Sequence, residues 1–189
     1  MAALGDSLTA GYGLATEEGF VPQMQAWLRA DGLDVTLINA GVSGDTTAGG
    51  LSRVGWTLSD DVDAMIVALG GNDYLRGLDP ALSEENLRGI LQTAAAQDVP
   101  VLLVGIAAGS NYGPDYKAAF DSIYTSLAEE FDVPLYPDWF AGLAADGSPQ
   151  GALGLMQPDG IHPSAEGVRL IVQDMGPAVA AFLSGVAAD

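Results

Sequence analysis

The chain has 189 residues, 49% of them hydrophobic, which suits one domain over residues 1–189 with a single core. It has no cysteine, so disulfides, thiolate metal sites, iron–sulfur clusters and cysteine nucleophiles are excluded together. Twenty-five acidic against six basic residues give a formal net charge of -19, which disfavours nucleic acid, anionic membrane and polyanionic substrates, while a neutral ester is compatible.

Short β-branched runs alternate with amphipathic stretches, the pattern of an α/β fold with a mainly parallel sheet. Strands are expected at Ala2–Leu4, Val35–Asn39, Ala64–Leu69, Val101–Ile106 and Val133–Tyr136, as apolar runs bounded by Gly or Asp. Between them, Phe20, Met24, Trp27 and Leu28 share one helical face. A helix over Thr47–Leu58 is weakened by Gly49 and Gly50. Leu87, Ile90, Leu91 and Ala94 form a further stripe, with Ser83 as the expected cap. Tyr116, Phe120, Ile123 and Leu127 form another, and Val168, Ile171, Val172, Met175 and Val179 the last, opened by Ser164. No stretch is long and apolar enough to span a membrane, and no signal peptide is visible. The chain starts almost inside its first element, which is also what removal of a leader leaves.

In open parallel sheets ligands bind beyond the carboxyl ends of the strands. Gly5-Asp6-Ser7-Leu8, Ser43-Gly44-Asp45-Thr46 and Gly70-Gly71-Asn72-Asp73 each follow a strand, and Asp159-Gly160-Ile161-His162 precedes the last helix. His162 is the only histidine, so an imidazole-driven serine hydrolase must use it as base. Asp159, three residues earlier, is placed to bond one ring nitrogen and stabilise the imidazolium; its plain alternative is a turn cap. Ser7 sits in the turn after the first strand, where a nucleophile is exposed and amide donors are near, although the same position suits an ordinary turn serine. The last glycine of a Gly-x-Ser-x-Gly elbow is replaced by Thr9. The Ser7 and Gly44 amides and the Asn72 side chain are candidate donors to an oxyanion, with a turn glycine and an Asx-turn asparagine as the alternatives.

Together these segments resemble the four blocks of the SGNH, or GDSL, hydrolases, in order and at fitting spacing. The match is nearest the bacterial arylesterase and thioesterase I/lysophospholipase L1 branch. Gly5-Asp6-Ser7-Leu8-Thr9-Ala10-Gly11-Tyr12-Gly13-Leu14 is similar to the first block, and Asn39-Ala40-Gly41-Val42-Ser43-Gly44-Asp45-Thr46-Thr47 to the second. Leu69-Gly70-Gly71-Asn72-Asp73 with Leu75-Arg76-Gly77 resembles the third. Asp159-Gly160-Ile161-His162-Pro163 with Ala165-Glu166-Gly167 resembles the last. The resemblance spans nearly the whole chain.

It implies a three-layer α/β/α, flavodoxin-like fold with a five-stranded sheet in the order 2-1-3-4-5. It implies Ser7, Asp159 and His162 as a catalytic triad, with Ser7, Gly44 and Asn72 as the oxyanion hole. It also implies hydrolysis of short- to medium-chain acyl or aryl esters, thioesters or lysophospholipids without a cofactor, in a periplasmic or secreted setting. Asp6, Asp45 and Asn111 are the expected substrate contacts.

Two departures stand out. Ala107-Ala108-Gly109-Ser110-Asn111-Tyr112-Gly113 lacks the proline-rich step of many relatives, and Gly109 is expected to loosen this loop beside the acyl pocket. Little chain precedes Gly5, so weak ladder support for the Ser7 turn is expected. Three other readings compete. A carbohydrate deacetylase would use the same triad, with Tyr12, Tyr74 or Tyr112 against a sugar. A binding module would have kept the fold without catalysis. A calcium site at Asp60, Asp61 and Asp63 lacks the ligand spacing of a calcium loop. Gly11-x-Gly13 is followed by Thr16, which breaks the dinucleotide fingerprint.

Overall fold

Five short apolar segments pair side by side in a wholly parallel sheet: β1 (Ala2–Gly5), β2 (Ile38–Gly41), β3 (Met65–Ala68), β4 (Val101–Val104) and β5 (Leu135–Tyr136). Their spatial order is β2-β1-β3-β4-β5, the order implied by the family resemblance. The computed structural model describes residues 1–59, 61–143 and 154–186. Helices α1 (Ser7–Ala10), α2 (Phe20–Ala30), α3 (Thr47–Thr57), α4 (Gly71–Leu75), α5 (Pro80–Ala95), α6 (Pro114–Phe131) and α7 (Ala165–Val186) fill the connections. On one side α3 packs on α5 and α5 on α6; on the other α2 packs on α7. Covered on both faces, β1, β3 and β4 are buried along their whole length, as continuous apolar strands require.

The first strand is better supported than its position in the chain suggests. Ala2 to Gly5 pair in register with Ile38 to Gly41 on one side and with Met65 to Ala68 on the other. The ladder extends past its start, with Ala2 N donating to Ala64 O at 2.9 Å and Ile38 N to Met1 O at 2.9 Å. Two neighbours therefore hold β1, and the expectation of a weakly supported Ser7 turn is corrected.

Several boundaries differ from the sequence pattern, each for a local reason. Leu37 N donates to the Gln25 side chain on α2, so β2 starts at Ile38 and not at Val35. At the end of α6 Asp132 takes a left-handed conformation (φ 52°) and Val133 N donates back to Ala128 O. That closure draws Val133 into the helix end, so β5 starts at Leu135. Helix α5 begins at Pro80 under an Asp79 cap, whose side chain accepts from Ala81 N, and Ser83 lies inside the helix with its hydroxyl turned inward. Despite Gly49 and Gly50, α3 forms under a Thr46 cap. At Gly50 a Cβ would stand 2.2 Å from Leu69 Cδ1, so glycine lets this helix approach the end of β3. Ser164 opens α7 as expected, accepting from Gly167 N at 3.2 Å.

The core runs through both layers. Leu4, Met65 and Leu103 fill the sheet, Leu87, Ile90 and Phe120 one side, and Phe20, Met24 and Met175 the other. Phe20 and Trp139 pack with ring centroids 4.5 Å apart. Because Leu4 is fully buried in β1, an interior strand of the sheet, Leu4→Ala is expected to cost about 2–5 kcal/mol. Urea unfolding will show this as a lower midpoint with an unchanged slope.

Candidate active site

The strand order reverses at β1, so the crevice beyond the carboxyl ends of β1 and β3 is where ligands bind in such sheets. The backbone turns sharply there. A Cβ on Gly5 would stand 2.0 Å from Thr9 Oγ1, so only glycine lets α1 fold back onto the end of β1. Asp6 caps α1 by accepting from Leu8 N at 3.0 Å, and Ser7 opens the helix half-buried at the crevice.

From the other end of the chain comes the loop ahead of α7. Asp159 Oδ1 accepts from Ile161 N at 2.9 Å and His162 N at 3.0 Å, while Oδ2 lies 2.7 Å from His162 Nδ1. The turn cap and the imidazole partner are thus one carboxylate in two roles. A carboxylate facing Nδ1 favours the proton there, which leaves Nε2 to accept from the Ser7 hydroxyl at 2.8 Å. Tyr12 lies against the imidazole, ring centroids 4.6 Å apart. Gln157 binds the loop to the segment after α1: its Nε2 donates to Tyr12 O at 2.8 Å and Pro163 O at 2.9 Å, and its own N–H to His162 O at 2.7 Å. Gly13 makes room for it, since a Cβ there would meet Gln157 Oε1 at 2.2 Å.

Gly44 adopts φ +82° after β2, a conformation that glycine enters without strain, and its carbonyl accepts from Arg76 Nη2 at 2.7 Å. Asn72 lies in α4, and its Nδ2 donates to Asp6 Oδ2 at 3.1 Å. Ser7, Gly44, Asn72 and His162 line one cleft of about 770 Å³. Among the described residues the Ser7 and Gly44 amides have no acceptor in the chain, so both are available to a ligand. Tyr74, Leu75, Ile106, Phe140, Met156 and Ile161 make the rest of the lining largely apolar.

Two hubs that the sequence pattern did not single out set the distances between these segments. Arg53 on α3 donates to Asp45 Oδ2 at 2.7 Å, Ala40 O at 2.7 Å and Gly5 O at 2.8 Å, clamping the ends of β1 and β2 together. Asp73 is buried and accepts from Thr47 N at 2.9 Å, Thr47 Oγ1 at 2.6 Å and Ser83 Oγ at 3.1 Å. That ties the Gly44 segment to the Asn72 helix. The signal in the sequence was an Asp beside Asn72 and an Arg eight residues beyond Asp45, neither with a local pattern to reveal its partner.

The expected substrate contacts separate. Asp6 borders the cleft, but it is buried and both its oxygens are occupied. Asp45 is ion-paired with Arg53 and is not part of the cleft lining, because that pairing turns its carboxylate to α3. Asn111 is exposed in a loop outside the lining. That loop backs the cleft wall: Tyr112 meets Tyr74 edge-on at 6.0 Å, and a Cβ on Gly109 would stand 2.4 Å from the Tyr74 hydroxyl. Gly109 thus admits the Tyr74 hydroxyl. Asp60 of the acidic cluster lies outside the described residues, and among those described no group of three His, Cys, Asp or Glu is placed to hold a metal.

Two carboxylates shift in opposite directions. Burial raises Asp6 from 3.8 to about 6, against the lowering effect of its bonds from Leu8 N and Asn72. Asp159 is lowered to about 2 by the His162 N–H, then the imidazole and the Ile161 N–H. A depressed carboxylate stabilises the fold above its unfolded value, and that contribution is lost as the pH falls from about 4 towards 2. Asp6 works the other way: the native state takes up its proton first, so this group favours folding increasingly as the pH falls from about 6 to 3.8. The difference in melting temperature between wild type and Asp159→Asn is therefore expected to shrink between pH 5 and pH 2, read by thermal unfolding across that range.

Residues 3–170 match the GDSL-like Lipase/Acylhydrolase family. The chain is 39% identical to Esterase TesA of Pseudomonas aeruginosa over 181 residues, 95% of this chain and 87% of that one. It is 38% identical to Thioesterase 1/protease 1/lysophospholipase L1 of Escherichia coli K12, covering 91% and 79% of the two chains. The crystal structure of the psychrotrophic esterase EstA from Pseudoalteromonas, inhibited by monoethylphosphonate, superposes with a TM-score of 0.87 at 33% identity over 97% of each chain. With the family matched over most of its length and a serine, an imidazole and a carboxylate bonded in series in the cleft, the chain belongs to the GDSL-like lipase/acylhydrolase family and is a carboxylic ester hydrolase.

Proposed function

We propose that the chain hydrolyses short- to medium-chain acyl or aryl esters with Ser7 as nucleophile, His162 as general base and acid, and Asp159 as the partner of the imidazole. The observation that carries this is the series Asp159–His162–Ser7, at 2.7 Å and 2.8 Å. Ser7 Oγ attacks the ester carbonyl as His162 Nε2 takes its proton, and Asp159 stabilises the imidazolium without itself being protonated. The negative charge that forms on the carbonyl oxygen meets the Ser7 and Gly44 amides and the Asn72 side chain. His162 then returns the proton to the leaving alcohol, and the acyl group remains on Ser7. Water, deprotonated by the same imidazole, attacks the acyl-enzyme, releases the acid and restores the Ser7 hydroxyl.

The largely apolar lining supports a neutral acyl chain as the bound group. The net charge of -19 adds a field that disfavours highly anionic acyl carriers, so simple esters fit this reading better than thioesters of a phosphorylated carrier.

Hydrolysis of p-nitrophenyl acetate, butyrate and octanoate tests the assignment. Ser7→Ala and His162→Ala are each expected to lower kcat by at least about 10³-fold, and Asp159→Asn by about 10⁴-fold through loss of the correct tautomer. Full activity in Ser7→Ala would overturn the nucleophile. Butyrate and octanoate are expected to be cleaved with higher kcat/KM than acetate, because each added methylene buries apolar surface in the cleft. Acetylated xylan, assayed alongside, separates the carbohydrate deacetylase reading, which ends if no acetate is released.

A further inference from the structure

Asn72 presents an amide whose two ends have nearly the same shape, and only one of them can stabilise an oxyanion. The group that decides between them is Asp6. An ionised carboxylate accepts and never donates, so it admits the Nδ2 end and repels the Oδ1 end. Asp6 Oδ2 accepts from Asn72 Nδ2 at 3.1 Å, while Oδ1 is fixed by Leu8 N at 3.0 Å. The second N–H of the same Nδ2 is then left for the cleft, which Asn72 lines. Asp6 is 2% exposed and, among the described residues, no Lys or Arg forms an ion pair with it. A buried carboxylate without a cation is costly to keep. Its acceptor-only character is what an Asn or a Ser at this position could not supply.

We propose that Asp6 is a positioning residue that acts through Asn72, holding the amide with its N–H groups toward the substrate oxygen only while the Asp6 carboxylate is ionised. Once protonated, Asp6 carries an O–H that seeks an acceptor, and a flipped Asn72 offers its Oδ1. The flipped amide sets a carbonyl oxygen where the substrate oxyanion forms, and the third donor is lost. Burial moves this titration up to about 6, within the range where an esterase is assayed. The other groups that act on Asp6 are His162 from the loop before α7, which favours the ionised form, and Asp45 from the loop after β2, which opposes it. Tyr124 of α6 lies within reach of the Asp6 charge. The proposal rests on the catalytic reading above.

The test is the ratio of wild-type to Asn72→Ala kcat/KM for p-nitrophenyl butyrate from pH 4.5 to pH 8. Taking the ratio removes the pH dependence that the two enzymes share, so what is left is the contribution of Asn72. It is expected to be about 10²–10³ at pH 8, the worth of one oxyanion donor, and to fall about tenfold by pH 5. A ratio that stays constant across this range overturns the proposal. Asp6→Asn supplies a second test, because its own amide N–H faces Asn72 and forces the flip at every pH. Its kcat is expected to fall about 10²–10³-fold with KM within about threefold of wild type. The double variant Asp6→Asn/Asn72→Ala should be no slower than Asn72→Ala alone, since Asp6 then has nothing left to orient. Multiplicative losses in the double variant would mean that Asp6 acts by another route. If Asp6→Asn fails to fold, the pH ratio still decides the matter. The Ser7→Ala control keeps the two readings apart: activity that survives there removes the catalytic assignment itself, whereas its collapse with a flat ratio removes only the role of Asp6.

Discussion

Everything in the site hangs from the pairing of β1 between β2 and β3. In a parallel sheet all carboxyl ends leave at one edge, and β1 is the strand from which the order runs both ways. Its register against both neighbours fixes the height at which Ser7, the Gly44 segment and the Asn72 helix leave the sheet. Arg53 completes the constraint by bonding the terminal carbonyl of β1, a carbonyl of β2 and the Asp45 carboxylate together. A guanidinium suits this task because its donors lie in a rigid plane and its charge is permanent.

The cleft combines an apolar lining with a few buried polar groups of high consequence. Asp6 and Asp73 are both buried carboxylates that, among the described residues, pair with no cation, and both are satisfied by hydrogen bonds from neutral donors. Asp73 joins α4 to α3 and α5, and Asp6 joins the Ser7 turn to the Asn72 helix. Networks of this kind are stiff, because breaking one bond leaves a buried charge with an open lone pair. Stiffness is what electrostatic catalysis needs, since donors that are already oriented lose nothing by reorganising as charge develops. Asp159 differs in being exposed, and it relies on three N–H donors for its orientation.

Where the pattern and the structure part company, a side chain or a cap has intervened. Gln25 takes the amide of Leu37 and delays β2, and the left-handed Asp132 draws Val133 into the end of α6. Ser83 reads as a helix cap by type and lies instead within α5, because Asp79-Pro80 is the stronger start and Asp73 needs the Ser83 hydroxyl. Asp45 reads as a site residue by its place in a motif and is instead the partner of Arg53. In each case a local preference was outweighed by a specific hydrogen bond, cap or ion pair that the spacing of apolar residues does not register.

The sequence by itself determined the elements, the sheet class and the chemistry on offer. Apolar periodicity marks buried faces wherever it occurs, and a lone His162 with Asp159 three residues before it is a local pair that one tight turn can close. What only the tertiary structure decided is which distant groups meet: Ser7 with His162 across 155 residues, Asp6 with Asn72, Arg53 with the ends of two strands, Asp73 with Thr47. Such contacts leave no periodic trace. A hydrogen bond between segments constrains one residue on each, and its energy depends on geometry that exists only once the sheet has assembled.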